Sequence, residues 1–172
     1  MYGDVFIEHM VARRPTPLTR LIQVSVWLAV LVLTALSLLF LLDPTVTALS
    51  LAGGSWGAWA LFVRQHVEYE YILTNGELDV DRITGRRWRK RLSTVDCRKF
   101  DILAPVAPEF AAEMNAGGIE RRLDATASPH AEDRWFALFH DKEGRRTLLL
   151  FQPDQRMLDA FKPLLPRKMK TK

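Results

Sequence analysis

Hydrophobic and polar positions divide the chain into one long apolar stretch and a remainder of mixed character. Residues 21–63 carry one charged side chain, Asp43, which is followed by Pro44. The uncharged runs on either side, 21–42 and 44–63, are each long enough to cross the roughly 30 Å hydrocarbon core of a bilayer as a helix. Because Asp43 and Pro44 leave room only for a tight turn, the pattern predicts a two-helix transmembrane hairpin.

Basic residues flank this hairpin, whereas its turn has none. Arg13, Arg14 and Arg20 precede the first helix, and Arg64 follows the second. Since positively charged loops stay in the cytoplasm, the distribution predicts a multi-pass protein of the cell membrane with both termini cytoplasmic. The helices hold no ionisable residue deep in their sequence, which argues against a transporter or a proton relay.

The segments outside the hairpin are predicted to be a leader, a folded domain and a tail. Residues 1–20 form a cytoplasmic leader with two open interpretations: a simple connection, or a helix that rests on the inner leaflet with its arginines among the headgroups. Residues 64–166 are long enough for one small domain. Residues 167–172 form a basic tail, which we expect to be free.

From Val67 onwards, apolar residues recur at every second position, as in a half-buried strand. The dipeptide Asn75-Gly76 that follows is the strongest short signal for a β-hairpin. A two-residue turn at this dipeptide fixes which residues face each other across the two strands. The expected pairs are Tyr69–Arg82, Tyr71–Val80 and Leu73–Leu78.

A basic run around one tryptophan, residues 86–91, comes next. Taken alone, such a run is typical of a site for nucleic acid or anionic lipid. A three-residue turn at 83–85, however, would place alternate arginines opposite carboxylates in an ordinary cross-strand ladder, and we therefore expect no nucleic-acid partner. The ladder pairs expected from this register are Glu77–Arg91, Asp79–Arg89 and Asp81–Arg87.

The rest of the chain completes a mainly-β domain. Seven strands and one closing amphipathic helix are the count of a pleckstrin-homology-like (PH-like) domain. The predicted fold class is therefore a membrane α-helical hairpin followed by a PH-like domain of about seven antiparallel strands and a C-terminal helix. The further strands are expected at 96–103, 119–126, 134–140 and 145–151, and a short helical segment is expected at 109–115.

Residues 71–78, Tyr-Ile-Leu-Thr-Asn-Gly-Glu-Leu, resemble the opening hairpin of bacterial PH-like modules that follow a membrane hairpin. From its Asp4-Val5-Phe6 leader to Phe161-Lys162-Pro163, the chain is similar to an uncharacterised family of small two-helix membrane proteins from clostridial-type bacteria. The resemblance covers nearly the full length. It implies architecture and location, and it implies no activity or ligand. The long segment 104–133 departs from a compact PH-like pattern.

Residues that could carry catalysis are sparse. The histidines His9, His66, His130 and His140 are scattered without metal-ligand spacing, and the single cysteine, Cys97, is expected to pack on a strand. No nucleotide-binding loop or nucleophile elbow is present in the sequence. We therefore expect no enzymatic activity, no metal and no cofactor.

These observations predict a membrane-anchored, non-enzymatic binding or scaffold module. It would present a cytoplasmic PH-like domain to a protein partner or to anionic lipid headgroups, the two candidate partner classes. The basic residues that could contact an anionic surface are Arg86, Lys90, Arg98, Lys99, Arg167, Lys168, Lys170 and Lys172.

The alternative is a structural subunit of a larger membrane complex that assembles through its hairpin. The second apolar run contains Gly53, Gly54, Gly57 and Ala58. Small residues four positions apart allow two helices to approach closely. Such packing could serve the hairpin itself or contact with another helix, and both uses stay open.

Overall fold

The computed structural model describes residues 5–40 and 43–170, which divide into two compact units. One unit combines the residues up to Arg13 with those from Val67 onwards, and the other runs from Arg14 to His66. The chain therefore begins in one unit, passes through the second and returns to the first.

The second unit is a pair of antiparallel helices, α1 (Pro17–Phe40) and α2 (Pro44–Gln65). At 24 and 22 residues, both are long and apolar enough to span a membrane. The helices contact each other along their length, from the Gln23–Gln65 side-chain hydrogen bond of 3.1 Å to the Ser37–Thr47 bond of 3.3 Å. Two apolar helices are thus confirmed, although residues 41 and 42, which the sequence assigned to the first helix, lie outside the described residues.

The start of α2 explains why the turn falls where the sequence placed it. The carboxylate of Asp43 accepts a hydrogen bond of 2.8 Å from the amide N–H of Thr45. This side chain therefore caps one of the amide groups that the first helical turn leaves unpaired. Pro44 occupies the first turn, where the missing N–H of proline costs no hydrogen bond.

The first sheet of the other unit is four-stranded, with the order β1-β2-β3-β4. Asn75 and Gly76 have φ angles of 51° and 93°, the positive values that a type I′ turn requires. The predicted register across this turn is confirmed, with Tyr71 opposite Val80. The strands are β1 (Phe6–Ala12), β2 (Val67–Thr74), β3 (Glu77–Thr84) and β4 (Trp88–Asp96).

The leader supplies strand β1, so its interpretation as a helix is wrong. β1 pairs with β2 along its whole length, from Phe6 opposite Thr74 to Ala12 opposite Glu68. Its side chains alternate between exposed and half-buried, and the half-buried ones, such as Val11, pack against the core. Pairing with a strand more than fifty residues away in the chain outweighs the weak helical pattern of this segment. The sheet domain therefore begins before the helices.

The second sheet has the order β5-β7-β8-β6, in which β6 runs parallel to β8. The strand predicted at 96–103 is interrupted, because the carboxylate of Asp96 accepts a 3.0 Å hydrogen bond from the Arg98 amide and starts a short 3₁₀ turn. Within the described ranges there are eight strands rather than seven, since the prediction lacked β1. The bounds are β5 (Ile102–Pro105), β6 (Arg121–Asp124), β7 (Trp135–His140) and β8 (Arg146–Phe151).

The core lies between the sheets and is completed by α4 (Gln155–Leu164). Asp154 caps this helix by accepting a 2.9 Å hydrogen bond from the amide of Met157. Phe161 then contacts two further rings, those of Phe100 and Phe151. Closely spaced aromatic rings dominate the energetics of a core of this size.

A second apolar cluster lies on the other face of the second sheet. Phe136 and Leu138 of β7 are buried there beneath the segment between β5 and β6, which contains Phe110 and α3 (Ala111–Met114). The long segment that departs from a compact PH-like pattern therefore covers an apolar sheet face that would otherwise meet water.

Candidate functional site

One end of the first sheet joins residues that are far apart in the sequence. The amide N–H of Arg13 donates a 2.9 Å hydrogen bond to the carbonyl of Val67, so the strand before α1 meets the strand after α2. Val67 lies opposite Thr84, and Thr84 lies opposite Trp88. Since neighbouring strands are about 4.8 Å apart, the β3–β4 turn lies beside both chain connections. We call this edge, marked by Arg13, Val67, Thr84 and Trp88, the connecting end.

The β3–β4 turn at the connecting end lies two residues later than predicted. Gly85 and Arg86 both have positive φ, 60° and 58°. The prediction placed the turn at 83–85, but Ile83 remains in β3, because a β-branched residue fits a strand and is strongly disfavoured at positive φ. The basic residues after the turn are therefore displaced along β3.

This displacement makes every predicted partner of the arginines wrong. Asp81 lies opposite Arg91, and a bulge between Val80 and Asp81 shifts the register again before Glu77, which lies opposite Asp96. The displacement is by an even number of residues, so the arginines still share a face with the carboxylates. The predicted pairs that the structure replaces are Glu77–Arg91, Asp79–Arg89 and Asp81–Arg87.

Three carboxylates neutralise two of the arginines on the outer face of the sheet. Arg89 lies 2.6 Å from Glu70, Arg91 lies 2.6 Å from Asp79, and both arginines contact Asp81. We call these five residues the outer-face network. The Glu70 side chain in this network is only 4% exposed. Burial raises the pKa of the Glu70 carboxyl, and the Arg89 guanidinium opposes this effect.

Three basic side chains and one tryptophan at the connecting end lie outside the outer-face network. Arg82 lies opposite Lys90, and Trp88 is two positions from Lys90, so these three share a face. Arg86 occupies the turn itself, and the Trp88 ring is 74% exposed. The ion pairs formed within 5–40 and 43–170 involve none of the three cations. We call Arg82, Arg86, Trp88 and Lys90 the cationic tip.

Other candidates from the sequence lie at the opposite end of the sheet. The amide of Cys97 donates a 2.8 Å hydrogen bond to the carbonyl of Gly76, which places Arg98 and Lys99 beside the β2–β3 turn. The ammonium group of Lys168 donates to the carbonyl of Arg98 at 3.0 Å. Since β3 has eight residues at about 3.3 Å each, the two ends are about 23 Å apart. The candidates therefore form two groups.

The prediction of a free tail is wrong for the part that the structure describes. The amide of Leu103 donates to the carbonyl of Lys168 at 2.9 Å, and the amide of Lys170 donates back to Leu103 at 2.8 Å. Met169 packs against the core. The side chains of Arg167, Lys168 and Lys170 remain exposed, and Lys172 lies outside the described residues.

Arg82 is the member of the cationic tip that sequence analysis missed as a candidate. It lies opposite Tyr69, as predicted, on the face of β3 that carries Leu78 and Val80. An arginine at such a position is seldom buried. Its presence indicated that β3 extends beyond the core, and Arg82 is indeed exposed.

The small residues of α2 lie on two sides of the helix. A Cβ atom built at Gly54 would lie 3.1 Å from the Val30 side chain of α1, and Ala58, one turn later, is buried. At Gly53 and Gly57, the described residues place no heavy atom within 4 Å of such a Cβ atom. The Gly54–Ala58 side therefore packs within the helical pair, whereas the Gly53–Gly57 side is open as far as the described residues are concerned.

Side chains that could be reactive, such as Cys97 and Tyr71, are buried in the core of the domain. Cys97 is fully buried, and burial raises the pKa of its thiol to about 12, so it is protonated at neutral pH. It packs as predicted, although in a 3₁₀ turn rather than a strand. The Tyr71 hydroxyl donates to the carbonyl of Ala125. The described part of the chain has no group of three metal-ligating side chains.

The comparison with protein families agrees with this architecture. The model of a bacterial PH-like domain family (DUF6106) matches residues 3–171. The chain belongs to this family. The match confirms the resemblance to a PH-like family, and it includes both helices, so the PH-like domain is interrupted by them between β1 and β2. Neither the curated proteins nor the solved structures contain a match to the chain.

Proposed function

We propose that this PH-like protein is a membrane-anchored, non-enzymatic binding module. Its helices α1 and α2 span the cell membrane, and its domain holds a protein or lipid partner at the cytoplasmic face. The observation that carries the proposal is the position of the helical pair, which lies between two strands that are hydrogen-bonded to each other. An anchor in this position is part of the domain and cannot separate from it.

The strand pairing restricts the topology. Because Arg13 is bonded to Val67, the chain must return to the side of the membrane from which it left. Two helices of about 36 and 33 Å, at about 1.5 Å per residue, satisfy this requirement with one crossing each. Arg13, Arg14 and Arg64 at the connections favour the cytoplasmic side.

Cysteine labelling in intact cells tests this topology. In a Cys97→Ala background, Thr45→Cys places a thiol at the start of α2, and Lys142→Cys places one at the exposed β7–β8 turn. We expect a membrane-impermeant thiol reagent to label the first variant in intact cells and the second only after the cells are opened. Labelling of Lys142→Cys in intact cells would place the domain outside and refute the proposal.

A second candidate function is a structural subunit that assembles through the helices. The open Gly53–Gly57 side favours it, because small residues four apart permit close contact with a further helix. The double change Gly53→Leu and Gly57→Leu should then abolish capture of a helix-bound partner from detergent extracts, while partners of the domain are retained.

Gly54→Leu is the matched control for that experiment. Its side chain would collide with Val30, 3.1 Å from the Cβ position, and should disturb the helical pair itself. If the double variant also loses the partners of the domain, the open side has no separate role. If it loses no partner at all, assembly through the helices is excluded and the binding module remains.

A further inference from the structure

We infer that the cationic tip rests on the anionic surface of the same membrane that α1 and α2 span, with the Trp88 ring at the level of the headgroups. This inference depends on the proposed anchoring and adds a ligand and a site to it. The tip would hold the domain in one orientation against the bilayer.

Chain connectivity brings the tip within reach of the membrane. Residues 14–16 separate Arg13 from α1, and His66 alone separates α2 from Val67. At most about 3.6 Å per residue, these links keep Arg13 and Val67 within about 14 Å of the helix ends. Trp88 lies two strands from Val67, about 10 Å across the sheet. The far end of β3 does not share this constraint.

The side chains of the tip suit a lipid interface. Tryptophan has an apolar body with one polar N–H, and it is enriched where hydrocarbon meets headgroups. Arginine and lysine place their aliphatic stems along apolar surface and their charges among phosphates. Trp88 is 74% exposed and shares a face with Lys90 and Arg82, so one surface offers both kinds of contact.

Ion pairing separates the tip from the neighbouring arginines. Arg89 and Arg91 belong to the outer-face network, where Glu70, Asp79 and Asp81 already compensate their charge. The cations of the tip have no carboxylate partner within the described ranges, and their charge therefore remains available to an anionic surface.

A further basic residue, Arg13, lies in line with the cationic tip. The guanidinium group of Arg13 approaches the Tyr69 hydroxyl at 3.5 Å, and Tyr69 lies opposite Arg82, which lies opposite Lys90. This row of residues ends at the strand that leads into α1. The positive charge thus extends from the tip towards the place where the chain enters its membrane anchor.

Spin labels on the full chain in lipid nanodiscs test the inference. In a Cys97→Ala background, one label replaces Arg87, which adjoins Trp88, and a reference label replaces Glu77 at the far end of β3. In discs of phosphatidylcholine and phosphatidylglycerol, we expect the label at 87 to lose collisions with a water-soluble nickel complex and gain collisions with oxygen. The label at 77 should remain accessible to nickel.

Two further variants separate the tip from general attraction. The change Trp88→Ser with Lys90→Gln should return the label at 87 to water, whereas Lys99→Gln at the opposite end should not change it. High salt or discs of phosphatidylcholine alone should weaken the protection, because exposed charges are screened. Equal nickel access at 87 and 77 in anionic discs overturns the inference.

The test also distinguishes this inference from the proposed function. If the chain remains in the discs but the label at 87 stays in water, the anchor holds and the tip does not contact lipid. If the chain does not enter the discs, the proposed anchoring fails. Protection of the label only after a cell extract is added would assign the tip to a protein partner and overturn the lipid contact.

Discussion

A chain in which an Asn-Gly turn replaces residues 14–66 should fold as a soluble PH-like domain, whereas a fragment that starts at Val67 should not. The register of β1 and β2 continues to Arg13 and Val67, which are hydrogen-bonded at 2.9 Å. A two-residue turn is the shortest connection between such a pair, and Asn-Gly has the backbone preference for it. The chain with the Asn-Gly turn, which we call the joined chain, keeps the eight described strands, while the fragment lacks β1.

The missing strand has a large effect for two reasons. Ile7 and Val11 are partly buried against the core, and burying such a side chain completely contributes about 1.5–3 kcal/mol, so the pair supplies about 2 kcal/mol at partial burial. Without β1, the full length of β2 also becomes an open sheet edge, which promotes aggregation. Together these losses are a substantial part of the roughly 5–15 kcal/mol that stabilises a domain.

Urea unfolding followed by circular dichroism, with size-exclusion chromatography, compares the two proteins. Within the joined chain, Val11→Lys on the half-buried face of β1 should lower the urea midpoint, while Met10→Lys on the exposed face is the matched control and should not. Equal midpoints for the joined chain and the fragment would show that β1 contributes nothing to the fold.

Sequence reasoning succeeded where a local pattern determines the structure. The apolar runs predicted two helices, and Asn75-Gly76 fixed the register of β2 and β3, because both signals lie within a few residues of what they specify. It failed for β1, whose partner strand follows the helices. A strand of moderate hydrophobicity can be identified only through its pairing with another strand. The pairing of β1 with β2 becomes evident only when the helices between them are recognised as an insertion.

The candidate site shows the same division. The face on which the arginines lie was predicted, because it depends only on the alternation of side chains along a strand. Their partners were not, since the turn at Gly85 and Arg86 and the bulge beside Asp81 each move the register. Lys90 and Arg98 lie at opposite ends of the sheet because β3 is eight residues long. The positions of the basic residues in the sequence did not indicate this distance.

Replacing Arg89 should destabilise the domain far more than replacing Arg87, although the two arginines are neighbours in the same basic run. Arg89 lies 2.6 Å from Glu70, whose side chain is 4% exposed, while Arg87 is exposed and outside the outer-face network. Arg89→Gln leaves a buried carboxylate with its charge uncompensated, which costs about 2 kcal/mol. Arg87→Gln should stay within about 0.5 kcal/mol of the parent.

The pH dependence identifies Glu70 as the origin of this loss. Burial raises the pKa of Glu70 above its usual 4.5, and Arg89 lowers it, so removing Arg89 should raise the pKa further. A carboxyl group with a raised pKa binds a proton more readily when folded, and the folded state therefore loses stability as pH rises through that pKa. The deficit of Arg89→Gln should be full at neutral pH and should shrink as pH falls towards 4.5.

Adding Glu70→Gln to Arg89→Gln completes the comparison. The amide keeps the shape of the carboxyl group without its charge, so the double variant should recover most of the stability that the single variant loses at pH 7. Urea midpoints of the joined chain at neutral and acid pH measure each effect. A deficit that persists in the double variant, or that does not change with pH, would mean that Arg89 acts through packing, and that the outer-face network is not held by the charge of Glu70.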